Sequence, residues 1–107
     1  MKPAKFEYHR PRAIDEALAA LREFGEEGKI LAGGQSLMPL MNFRLAQPAH
    51  VIDINFMDGW DYLKSEKGAF KVGCLARQSR LLDDPLIRQR CPLLADALAH
   101  VGYTQTR

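Results

Sequence analysis

ILAGGQSLMPLMNFRLAQP, residues 30–48, interrupts an apolar run with two adjacent glycines. The apolar run Ile30-Leu31-Ala32 stops at Gly33-Gly34, passes through Gln35-Ser36, and a new apolar stretch opens at Leu37. A run this short, bounded by glycines, reads as a buried strand over Lys29–Ala32. The stretch behind Ser36 reads as the beginning of a helix, with the serine placed to cap it. A second short apolar run, Val51-Ile52-Asp53-Ile54, reads as another strand.

Upstream, Phe6-Glu7-Tyr8-His9 alternates apolar and polar residues and ends before Pro11, which predicts an extended entry segment. Ile14, Ala17, Leu18, Leu21 and Phe24 then recur at helical spacing. Asp15 and Glu16 sit in the first turn and Gly25 supplies a stop, so a core-facing helix is expected there. Helix between strands makes an α/β layer. Downstream, Tyr62–Ser65 and Ala69–Gly73 flank Glu66-Lys67-Gly68 and predict a β-hairpin. Arg77–Asp83 predicts a short helix, with Asp83-Asp84-Pro85 as its end and a turn. Leu94, Ala97, Leu98 and Val101 predict another helix that starts at Pro92 and stops near Gly102. After Gly102 only YTQTR follows, and the end reads as a truncation.

Composition restricts the function classes. With 107 residues, 47% hydrophobic and 26% charged, the chain suits one modest core. Its 15 basic and 13 acidic residues are interspersed, so the net charge of +2 implies neither a nucleic-acid nor a membrane partner. No apolar run approaches the roughly 18 residues of a spanning helix, and MKPAKFEYHRPR lacks the apolar core of a secretory signal. A cytoplasmic location is expected. Cys74 and Cys91 form no Cys-x-x-Cys motif and are expected to be ordinary buried thiols, with no iron–sulfur cluster on this chain. His9, His50 and His100 are far apart with no Asp or Glu at ligand spacing, so no metal site is expected. Ser36 lies in no Gly-x-Ser-x-Gly nucleophile elbow. Met38, Met41, Leu37 and Leu40 are expected to fill the core behind the glycines.

Between a strand and a helix, paired glycines allow a sharp turn and a close ligand approach to backbone N–H groups, which suits a phosphate. A plain tight turn satisfies the same pattern. Neither Gly-x-x-x-x-Gly-Lys-Ser/Thr nor Gly-x-Gly-x-x-Gly is present, since Lys29 precedes the glycines. Asp53 follows them by about 20 residues, as a Rossmann ribose-binding carboxylate would, but the glycine pattern is wrong for that role.

LAGGQSLMPLMNFRLAQPAHVIDIN (31–55), with FEYHRPRAIDEAL (6–18) before it and VGCLARQS (72–79) after it, resembles the start of the FAD-binding medium subunit of the molybdenum hydroxylases. Aerobic carbon monoxide dehydrogenase and xanthine dehydrogenase belong to that family. The resemblance implies the small N-terminal α/β subdomain of a vanillyl-alcohol-oxidase (PCMH)-type FAD fold, with short parallel strands, packed helices and a β-hairpin. Residues 1–107 would be the N-terminal part of such a domain, with 1–57 the first subdomain and 58–107 the truncated start of a second. It further implies an FAD pyrophosphate over Ala32, Gly33, Gly34, Gln35, Ser36 and Leu37, with the glycine backbones making the close approach.

In such enzymes the flavin relays electrons from iron–sulfur clusters to an external acceptor, so no catalytic residue is expected here. Molybdopterin and the 2Fe-2S clusters would sit in a large and a small partner subunit. Where the family often has paired threonines, this chain has Ala76-Arg77, so residues 74–79 are left out of the site. Residues 1–107 alone are expected to be inactive, to purify without FAD and to self-associate through uncovered apolar surface. The competing readings are a non-enzymatic phosphate- or nucleotide-binding module and a structural domain for subunit contacts.

Overall fold

A computed structural model describes residues 1–107, which divide into two compact units, Met1–Asp58 and Gly59–Arg107. The first unit is built on a parallel sheet of three strands, β1 (Glu7–His9), β2 (Gly28–Leu31) and β3 (His50–Asp53), in the order β1-β3-β2. Parallel strands of one sheet need crossover connections. Helix α1 (Ile14–Phe24), followed by a single 3-10 turn at Gly25–Glu27, supplies one of them, and α2 (Leu37–Asn42) lies between β2 and β3.

Strand β3 is the axis of this unit. Its Val51, Ile52 and Asp53 are buried, as a central strand covered on both faces should be. Met41 of α2 is nearly inaccessible, whereas Leu40 on the same helix is exposed. Of the four residues expected behind the glycines only Met41 is therefore fully buried. Helix α1 packs on β2 and β3, yet among its apolar positions only Ala17 is fully buried, and Ile14 and Leu18 remain exposed.

In the second unit, β4 (Leu63–Glu66) and β5 (Ala69–Val72) form the expected hairpin. Its two-residue turn has positive φ at both Lys67 (48°) and Gly68 (76°), the signature of a type I′ turn, whose twist matches that of the strands. Three short helices follow: α3 (Gln78–Asp83), α4 (Pro85–Arg90) and α5 (Pro92–Ala99). Their core is Leu81, Ile87, Ala95 and Leu98, with Leu75 also buried.

Helix α4 corrects the sequence reading, which placed only a turn after Asp83. Asp84 Oδ1 accepts the Leu86 N–H at 2.8 Å, and Pro85 occupies the first helical position, where a missing N–H costs nothing. Asp-Pro here opens a helix. The thiols need a correction as well, since Cys74 is exposed and Cys91 only partly buried, both unpaired. No helix is long and apolar enough to cross a membrane.

Candidate functional site

The loop from Ala32 to Leu37 leaves the C-terminal end of β2 and enters α2, a common place for ligands in parallel α/β sheets. All six residues are solvent-accessible to some degree, with Gly34 and Leu37 the more sheltered. The first backbone bond that closes onto the loop runs from the Met38 N–H to the Gly34 carbonyl at 3.0 Å. The N–H groups of Gly33 through Leu37 donate to no backbone carbonyl. Ser36 takes the N-cap position, but its side chain makes no capping bond, which corrects the expectation of a serine cap. Its hydroxyl is left available for another acceptor.

The glycines differ in role. At Gly34, φ is +75°, and an added Cβ would lie 3.2 Å from both Leu31 Cδ1 and Met38 Cγ, so a side chain there would be strained and crowded. Gly34 serves the turn. At Gly33 nothing lies within 4 Å of an added Cβ, so its lack of a side chain fills no internal need. What it leaves is an open approach to the backbone. Open backbone, several free N–H donors and an unengaged hydroxyl suit a phosphate or pyrophosphate. Because α2 has only six residues, the loop amides rather than a long helix dipole supply the attraction.

A buried carboxylate secures this loop. Asp53, at the end of β3, accepts the Tyr8 hydroxyl on Oδ2 at 2.6 Å, and on Oδ1 both the Asn55 N–H at 2.9 Å and the Asn55 amide at 2.7 Å. The same Asn55 amide donates to the Ala32 carbonyl at 2.6 Å, and the Ile54 N–H donates to the Leu31 carbonyl at 3.0 Å. A chain of hydrogen bonds thus runs from β1 through β3 to the first residue of the loop.

Burial pushes the Asp53 carboxyl pKa up. The hydrogen bonds from Tyr8 and Asn55, with the nearby positive charge of Arg10, outweigh that effect and hold it below its ordinary 3.8. The Tyr8 hydroxyl is correspondingly raised, chiefly by its hydrogen bond to Asp53, with lesser contributions from burial and the carboxylate's charge. The carboxylate and the neutral phenol stabilise each other. Asn55 is a site-supporting residue that the sequence reading passed over, and Asp53, set aside there as a misplaced ribose-binding carboxylate, supports the loop instead. Arg10, which also lies 4.6 Å from the Phe56 ring centroid, belongs with them.

A second constellation was missed. The parallel register sets Glu7 opposite His50, and with His9 two residues on from Glu7 the three side chains converge on one face of the sheet. His100, in the other unit, takes no part. Sequence distance concealed only His50; Glu7 and His9, two apart on a strand, already share a face, which corrects the expectation that no carboxylate stands at ligand spacing.

Residues 4–107 match the family model described as the FAD binding domain in molybdopterin dehydrogenase. The chain belongs to that family. It is 39% identical over all 107 residues to the carbon monoxide dehydrogenase medium chain of Hydrogenophaga pseudoflava, and 41% identical over the same length to the caffeine dehydrogenase subunit beta of a Pseudomonas species. It spans 37% and 36% of those relatives. Among solved structures, the carbon monoxide dehydrogenase of H. pseudoflava lacking the Mo-pyranopterin moiety superposes with a TM-score of 0.96 at 39% identity, over the whole of this chain and 37% of that one. Quinoline 2-oxidoreductase from Pseudomonas putida 86 gives 0.92 at 31% identity, over 99% of this chain and 37% of that one.

This member of the FAD-binding family has the expected fold class, short parallel strands packed with helices plus an antiparallel pair. FAD is its family's cofactor. The chain's own open glycine loop, with unpaired N–H groups, fits the dinucleotide's pyrophosphate.

Proposed function

We propose that Ala32, Gly33, Gly34, Gln35, Ser36 and Leu37 hold the pyrophosphate of FAD. The observation that carries this reading is the open backbone at Gly33, beside five N–H groups that bond no carbonyl. Gly33 admits the phosphate oxygens, Gly34 sets the turn, and the Ser36 hydroxyl and Gln35 amide add donors. Tyr8, Asp53 and Asn55 fix the loop's entrance, so that little ordering is left for the ligand to impose.

The parent protein in this reading is the electron-transfer subunit of a molybdopterin-dependent dehydrogenase. It relays electrons from iron–sulfur clusters through FAD to an external acceptor, in the cytoplasm. Its partners are a molybdopterin-binding large subunit and an iron–sulfur small subunit, a division that the relatives' names, medium chain and subunit beta, support. Residues 1–57 form the first subdomain and residues from 58 begin the second. FAD, when bound, supplies the one- and two-electron chemistry, and this chain's residues supply position and electrostatics. Exposed Phe43 and Leu45 add to the apolar surface through which residues 1–107 are expected to self-associate.

The test is an NMR titration of the 15N-labelled chain with FAD to millimolar concentration, a range that captures weak binding. Amide shifts should concentrate at residues 33–37. Gly33→Val should abolish them while leaving the remaining spectrum that of a folded protein, since its Cβ meets no neighbour. Undiminished shifts in folded Gly33→Val would sink the assignment.

A further inference from the structure

We propose that Glu7, His9 and His50 form a divalent-cation site, suited to zinc, on the sheet face opposite the one that carries Tyr8 and Asp53. The strands dictate the meeting. Glu7 and His9 are two apart on β1 and share a face, and the parallel register sets Glu7 beside His50 of β3. Tyr8 and Asp53 alternate to the other face. This site is thus separate from the glycine loop and its supports.

The three inward atoms have the geometry of a ligand set. His9 Nε2 lies 3.1 Å from His50 Nδ1, Glu7 Oε2 lies 3.5 Å from His50 Nδ1, and Glu7 Oε2 lies 3.9 Å from His9 Nε2. A point equidistant from the three is about 2 Å from each, the length of a zinc–imidazole or zinc–carboxylate bond. A surface salt bridge does not require all three atoms to converge on one centre at that radius.

The imidazoles are also held in place. The Phe24 ring stacks on His50 with centroids 3.8 Å apart and planes 8° from parallel, and lies 4.6 Å from the His9 ring. This restricts ring rotation, so binding a cation costs little ordering. Two imidazoles and one carboxylate are borderline ligands that favour zinc or a similar first-row ion over calcium or magnesium. Glu7 is 71% exposed at the side chain, which leaves room for a water as fourth ligand.

Proton bookkeeping is simple. Without metal, one hydrogen is shared between His9 Nε2 and His50 Nδ1, and its side depends on the tautomers. On binding, each neutral imidazole carries its hydrogen on the outer nitrogen, His9 Nδ1 and His50 Nε2, and donates the inner lone pair. With the Glu7 carboxylate, three lone pairs reach a dication and no neutral imidazole loses a proton. The bound ion would staple β1 to β3 across about forty residues of chain, so it should raise stability by linkage.

The test uses the chelator-treated chain, titrated with zinc by calorimetry and with cobalt(II) as a visible-absorption probe. The expected result is one ion per chain with micromolar affinity, cobalt d–d bands of a low-coordinate site, and a zinc-dependent rise in Tm. His9→Asn and Glu7→Gln should each weaken binding at least roughly tenfold, and Cys74→Ser, which removes the exposed thiol, should change nothing. Glu7→Gln alters an exposed side chain and keeps the fold, so it decides the matter even if His9→Asn is unstable. Millimolar binding by the unaltered chain, or unaltered affinity in folded Glu7→Gln or His9→Asn, would overturn the proposal.

Discussion

The two units of this chain are built by opposite strategies. In Met1–Asp58, strands distant in sequence form a parallel sheet, and polar side chains meet across it in two clusters, Glu7/His9/His50 and Tyr8/Asp53/Asn55. In Gly59–Arg107, a two-residue hairpin and three short helices follow one another directly, over an apolar core. The polar contacts recorded there are mostly exposed, such as Arg80–Asp61 and Lys71–Glu66, both at 2.7 Å, and exposed pairs add little stability. Long-range register makes such polar clusters possible, one of them around the buried Asp53, because it brings together residue types that no local motif can.

If the units differ in polar organisation and not in core quality, fully buried isoleucines should matter equally in both. Ile52→Ala and Ile87→Ala, each replacing an inaccessible side chain, should cost about 2–5 kcal/mol. Denaturant midpoints would show it. A small loss at either position would mean that one core is looser than its burial implies.

Buried polar substitutions should separate the units. Asp53→Ala removes the acceptor of the Tyr8 hydroxyl and of the Asn55 N–H; the half-exposed phenol turns to water and the Asn55 amide keeps the Ala32 carbonyl, so the loss should be about 1 kcal/mol. Amide exchange at Ala32 and Gly33 should speed up with it. Folding lowers the Asp53 pKa below 3.8, so this contribution is complete above that pH and is lost as pH falls through the folded value. Tyr8 is raised above 10.0, so its contribution is present below that pH and is lost as pH rises through the folded value. Asp53→Asn should flatten the acid limb of the stability profile and Tyr8→Phe the alkaline limb. Unchanged limbs in both variants would remove the network from the account.

The smallest effect belongs to the local unit, where one turn residue has a backbone conformation that its side chain disfavours. Lys67 has φ 48° in the hairpin turn, and Lys67→Gly should raise stability by roughly 0.5–1 kcal/mol, readable as a higher Tm. A loss would show that the lysine side chain contributes something the turn does not.

The same contrast explains what could be read from sequence. The Lys67-Gly68 hairpin and the Pro92 start of α5 are local signals, and both lie where the residues indicate. Asp84-Pro85 is local too, yet Asp-Pro suits a turn and a helix N-terminus equally, and the short pattern Leu86-Ile87 did not choose between them. The glycine loop stood out because its residue types are unusual between a strand and a helix. Asp53 stood out only by its spacing from the glycines, which suggested a ribose carboxylate, and its role in the fold, like that of Asn55, depends on β3 lying beside β2 and β1. Ile14 and Leu18 have helical periodicity, which specifies a face but not how fully it is covered.

Whether the Ala32–Leu37 loop holds a pyrophosphate is decided by titrating the 15N-labelled chain in parallel with FAD, ADP and riboflavin. FAD and ADP share the diphosphate and should move the same amides, Gly33 through Leu37, in the same directions, while riboflavin, which lacks it, should leave them in place. Riboflavin shifts at those amides with none from ADP would contradict the account and assign the loop to the flavin ring.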